Sequence, residues 1–106
     1  MQDLTPLKHI KQRRANNMKV KVTEEIWKEG NMYVSYCPEL DMASCGKSVE
    51  EAKKNLKEVI SINFEECQKV GTLNQLLQEA GLTEEQEDVL LTRKELVSFS
   101  PIEVGI

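Results

Sequence analysis

The run from Gly30 to Ala52 limits the fold more than any other part of the chain, because it spells out an order of elements locally. Gly30-Asn31 is a turn pair, since both residue types tolerate the positive φ of a two-residue hairpin. Met32 to Cys37 is rich in bulky, aromatic and β-branched residues, and Pro38 then removes the amide that would continue a ladder. A short strand follows at about Met42 to Cys45, and Gly46 releases the chain. Ser48 and Glu51 stand at capping-box spacing, which starts a helix. The order is strand, turn, strand, short strand, helix. On the central strand, Met32, Val34 and Tyr36 share one face; Tyr33, Ser35 and Cys37 share the other.

Upstream, Lys19-Val20-Lys21-Val22 alternates polar and apolar, the mark of a half-buried strand, and the pattern blurs from Thr23 to Glu29. Downstream, Val49, Ala52, Leu56, Val59, Ile60, Phe64, Cys67 and Val70 fall within a stripe of about 140°, the width a helix buries against a sheet. Gly71 supplies the left-handed stop, and Thr72 to Gln75 has the spacing of a second capping box. A short helix through Leu76 and Leu77 ends at Gly81. Thr83 to Asp88 carries four carboxylates and reads as a solvated connector or frayed turn. The tail restarts as extended chain, with Ile102, Val104 and Ile106 on one face of a terminal strand. These elements predict an α+β domain: a small antiparallel sheet of three to four strands on one long helix, plus a short second helix.

The chain has 106 residues, enough for one core and one domain. Residues 1–17 hold four basic side chains, Lys8, Lys11, Arg13 and Arg14, against Asp3, a balance of +3. They read as a loosely ordered basic arm, and Met18 opens the first recognisable element, with the natural start left open between Met1 and Met18. The remaining ten basic and 17 acidic residues make 18–106 the globular domain, with a balance of −7. That domain has no electrostatic footprint for nucleic acid, and specific DNA binding is not expected of it. An acidic body of this kind steers basic proteins instead. No apolar stretch approaches the ~20 residues of a membrane span, and the N-terminus has no signal-peptide core. A cytoplasmic protein is expected. Cys37, Cys45 and Cys67 match no zinc spacing and read as small, buried or half-buried thiols.

No catalytic set, cofactor site or metal cluster assembles from these residues. The lone histidine, His9, sits in the basic arm, without the fixed neighbour a catalytic imidazole needs. Glu39 and Asp41 are the only carboxylates near a sheet edge, too few for a two-metal nuclease. Trp27, Tyr33 and Tyr36 lack the interleaved Lys and Arg of a single-strand stacking platform, so they read as core, rim or an anchor for a protein partner.

Tyr33, Pro38, Glu39, Leu40, Gly46, Ser48, Glu50, Glu51 and Ala52 together resemble the HicB-like antitoxins, whose domain carries Tyr-x-x-x-x-Pro-Glu-Leu before Gly, Ser/Thr and Glu-Glu-Ala. The similarity spans about residues 18–82. It implies a partial ribonuclease-H-like α+β fold, dimeric or tetrameric, that neutralises a small basic RNA-cleaving toxin by covering it. The alternative is a solitary relative with an enzymic or small-ligand role. Two departures matter. Asp41-Met42-Ala43-Ser44 replaces the family's Pro-Gly-Cys loop, and the 24 residues after Leu82 fit neither a helix-turn-helix nor a ribbon-helix-helix. Operator binding is therefore not expected. The partner site is placed at Tyr36, Pro38, Glu39 and Asp41, where an aromatic anchor stands beside two carboxylates on a proline-stiffened loop. Ile62, off the buried helix stripe, and Ile102, Val104 and Ile106 are placed at a homo-oligomer interface.

Overall fold

The computed structural model describes residues 18–106. The basic arm with His9, Lys8, Lys11, Arg13 and Arg14 lies outside the described residues. In chain order the elements are β1 (Lys19–Val20), β2 (Glu25–Glu29), β3 (Met32–Cys37), β4 (Met42–Gly46), α1 (Val49–Val70), α2 (Leu73–Glu79), β5 (Glu84–Gln86) and β6 (Val89–Leu91). The fold is α+β, with two three-stranded sheets and one long helix packed on the β2-β3-β4 sheet. One sheet is the antiparallel meander β2-β3-β4; the other, in order β1-β6-β5, is mixed. Among the described residues no helix is long and apolar enough to cross a membrane.

The central hairpin closes as its turn pair requires. Glu29 faces Met32 across Gly30-Asn31, and only Gly30 takes a positive φ (63°), the sign pattern of a type II′ turn. The side of β3 bearing Ser35 and Cys37 is buried beneath α1. Ser35, the buried polar side chain of the core, donates its hydroxyl to the Ala52 carbonyl at 2.8 Å and ties strand to helix. Asn55 repeats the tie, donating Nδ2 to the Cys45 carbonyl at 2.8 Å. Gly46 does more than release the chain. A Cβ there would stand 2.6 Å from the Ala52 nitrogen, so its bare backbone lets β4 run against the first turn of α1.

Helix α1 starts where expected. The Ser48 hydroxyl accepts from the Glu51 amide at 3.1 Å, and the Glu51 carboxylate accepts in turn from the Lys47 amide. Gly71, at φ 79°, ends it, with the Thr72 amide donating back to the Cys67 carbonyl at 2.8 Å. The helix is anchored by its first half: Ala52 and Leu56 are buried, and no residue after Leu56 is. Val59 and Val70, expected in the buried stripe, are exposed, while Ile60 and Phe64 of the same stripe pack against the edge of the core. Ile62 is exposed as expected. The core gathers Cys37, Leu40, Leu56, Leu77, Leu82 and Leu90 from both sheets and both helices.

Four expectations need correction. The alternating segment Lys19 to Val22 does not join the expected antiparallel sheet. It pairs in parallel with β6, and a separate strand, β2, forms where the pattern blurs. Thr83 to Asp88 is not a connector but one strand and the turn of a hairpin, with Gln86 facing Val89. Both turn residues, Glu87 (φ 51°) and Asp88 (φ 67°), take the left-handed conformation, which Glu disfavours. Thr72 forms no side-chain cap on α2; its hydroxyl reaches back to the Cys67 carbonyl instead. The expected terminal strand does not form among the described residues: there Ile102, Val104 and Ile106 pair with no strand and are exposed.

Candidate functional site

Pairing registers fix what the open face of the meander presents. Directly opposed residues share a face, so Glu29 lies beside Met32, Trp27 beside Val34, and Glu25 beside Tyr36. On β4, Cys45 lies beside Val34 and Ala43 beside Tyr36. None of these strand positions is Lys or Arg. The buried Ser35 and Cys37 belong to the opposite face, so Tyr36 does stand on the open side, as an anchor there requires. Trp27 is 48% exposed and donates its indole N–H to Glu25 at 3.1 Å. Phe99 from the C-terminal tail meets it edge-on, with ring centroids 5.4 Å apart. Met32, Ala43 and Cys45 are exposed, and Val34 is half-buried. Cys45 thus departs from the expected half-buried thiol, because its position on β4 faces outward. Cys37 is enclosed, and burial pushes its thiol up to about 11, which makes it inert.

The loop between β3 and β4 is stitched residue by residue. Leu40 enters the core. Asp41, in the left-handed region at φ 54°, accepts the Tyr36 hydroxyl at 2.8 Å, which holds the phenol above its ordinary pKa. Glu39 is not the free charge that its place in the sequence suggests. Its carboxylate is part-buried and accepts the Thr23 amide at 2.9 Å and the Thr23 hydroxyl at 2.6 Å. Burial pushes its pKa up, but the hydrogen bonds from Thr23 and its other donors outweigh that and hold it below the usual value. Glu39 therefore pins the β1–β2 link to the loop. This is why the strand pattern breaks at Thr23: the chain leaves one sheet there to enter the other.

Of the expected partner residues, Tyr36 and Asp41 sit together at one end of the open face, while Pro38 and Glu39 turn toward Thr23 and the tail around a groove of about 930 Å³. Glu25 and Glu29 were not singled out from sequence as members of this face, and Trp27 was read only as core, rim or anchor without a face assigned. Counting back across the two-residue turn would have found them, because the turn sets Glu29 against Met32 and each pair before it follows. Among the described residues no three His, Cys, Asp or Glu side chains gather to hold a metal ion. Compared with family models, curated proteins and solved structures, the chain gives no match.

Proposed function

We propose that this chain is a protein-binding module that holds a small basic protein on the open face of the meander, in the manner of a HicB-like antitoxin covering an RNA-cleaving toxin. The observation that carries the reading is the composition of that face. An apolar strip of Trp27, Met32, Val34 and Tyr36 is left uncovered by helix, and the acids Glu25, Glu29 and Asp41 frame it with no Lys or Arg at its strand positions. Uncovered aromatics on a rigid sheet are the anchors of protein interfaces, and one-signed acidic framing selects a basic partner. The Tyr36–Asp41 hydrogen bond orients the phenol before any partner arrives, which lowers the ordering cost of binding. The resemblance of the Tyr33–Leu40 and Ser48–Ala52 segments to HicB-like proteins supplies the class of partner.

Co-expression with the product of the adjoining gene, which this reading requires to be a short basic protein, tests it. The wild type should co-purify with it, and the Glu25→Lys/Glu29→Lys variant should not. Equal retention by both would remove the site, and no retention by either would remove the function.

A further inference from the structure

The outer edge of β1 and the groove beside it form a second surface, and the sequence of the C-terminal tail matches it position by position. In the mixed sheet, β1 is an edge strand among the described residues. The Lys19 and Lys21 amides point inward, donating to the Asp88 and Leu90 carbonyls at 3.1 and 2.8 Å. Alternate residues of a strand direct their backbone groups to opposite edges, so Val20 turns its N–H and C=O outward. The side chains alternate too. Met18, Val20 and Val22 point over a groove of about 700 Å³ toward Leu56, Ile60 and Phe64 of α1, while Lys19 and Lys21 take the other face. Lys54 and Lys57 rim the groove; Lys53 is engaged by Glu24 at 3.4 Å.

The tail carries the complement. Ile102, Val104 and Ile106 alternate on one side and are 83%, 77% and 125% exposed, with Glu103 between the first two. Its root is held elsewhere. Arg93 bonds Glu84 at 2.7 Å, and Phe99 rests on Trp27, whose side chain lies on the face of the meander turned away from α1. The tail is thus anchored on the side opposite the groove, which leaves its last residues free to engage another molecule.

We propose that residues 102–106 of one copy add as an antiparallel strand to the outer edge of β1 in a second copy, and reciprocally. Val104 then faces Val20, Ile102 faces Val22 and Ile106 faces Met18 above the groove, while Glu103 faces Lys21 on the opposite side. Each apolar position meets an apolar one and the one charge meets its opposite. A strand shifted by one residue would put Glu103 over Leu56 and Ile60. The acidic open face of the meander is a poorer acceptor, because Glu25, Glu29 and Asp41 would oppose Glu103. Two equivalent strand additions about one twofold axis close a dimer and remove both exposed edges.

The test is crosslinking of the full chain. In a Cys45→Ser background, one sample carries Lys21→Cys and a second, differently tagged, carries Glu103→Cys. Mixed and oxidised, they should give a reducible heterodimer in high yield. The wild type should sediment at twice 12.1 kDa, and Val104→Asp, an exposed position in the single chain, should sediment at 12.1 kDa with an unchanged circular dichroism spectrum. A monomeric wild type, whether its β1 edge is covered by its own chain or by nothing, would overturn the proposal. So would a dimer that survives Val104→Asp, or one that does not crosslink at these positions.

Discussion

The two faces of the β2-β3-β4 meander are made by alternate residues of the same strands, yet they do opposite things. Toward α1, the centre of the face is closed: Ser35 and Cys37 are fully buried, the Ser35 hydroxyl is matched to a helix carbonyl, and Gly46 has no room for a methyl group, while Lys28 and Tyr33 reach the rim. Away from α1, Trp27, Met32, Ala43 and Cys45 remain exposed, and the side chains of Trp27 and Tyr36 hydrogen-bond to Glu25 and Asp41 beside them. A period of two gives both faces similar apolar content, so content alone does not tell core from docking surface. What separates them is closure. The inner face uses up its hydrogen-bonding groups and its space within the chain, whereas the outer face keeps area and negative charge available to another molecule.

That contrast sets how each substitution should act. The largest effect belongs to the inner face. Gly46→Ala forces a Cβ onto the Ala52 backbone and should cost about 3 kcal/mol, lowering the melting temperature by on the order of 10 °C or more for a domain of this size. A melt within 2 °C of wild type would break the account of that contact.

Next is the loop tie. Glu39→Gln leaves the Thr23 amide facing a neutral acceptor and should cost about 1–2 kcal/mol, since hydrogen bonds to a charged group are worth more than neutral ones. The pH dependence follows from the direction of its shift. The folded pKa lies below the unfolded one, near 4.3, so the stabilisation is fully present above that value and is lost as pH falls through the folded value. Urea midpoints of wild type and Glu39→Gln should therefore converge as pH falls below the ordinary glutamate range; curves that stay parallel all the way to acid unfolding would contradict the assignment. Ser35→Ala removes one buried hydrogen bond and should cost about 1 kcal/mol by the same measurement.

Away from the meander, Glu87→Asn relieves a left-handed glutamate and should stabilise by about 0.5–1 kcal/mol, seen as a raised urea midpoint. The smallest effect on stability is on the outer face: Met32→Gln should stay within about 0.5 kcal/mol of wild type, and a larger loss would mean that this face is packed rather than open.

The meander and α1 were legible because their signals are local: a turn pair, a proline, a capping serine and a helix-ending glycine. The second sheet was not, for two physical reasons. β1 and β6 pair in parallel across most of the chain, which no local pattern encodes, and the turn between β5 and β6 is made by Glu87 and Asp88 rather than by Gly or Asn. The open face of the meander was half legible. Alternation put Tyr36 on the side away from Ser35 and Cys37, with Asp41 beside it, but Glu39 looked like its neighbour Asp41 until the fold brought Thr23 to it. β2 was hidden by its own chemistry: Glu25, Trp27, Lys28 and Glu29 are all wholly or partly polar, so this largely exposed strand does not show the apolar alternation of a strand packed on one face.

The central claim, an acidic docking face for a basic protein, is tested most directly by the association rate of that partner with the wild type and with Glu25→Lys/Glu29→Lys, measured at low and high salt. The account predicts fast association of the wild type that slows as salt rises. It predicts at least tenfold slower, nearly salt-independent association for the variant, with both proteins melting at the same temperature. Equal rates for the two proteins at low salt would contradict it.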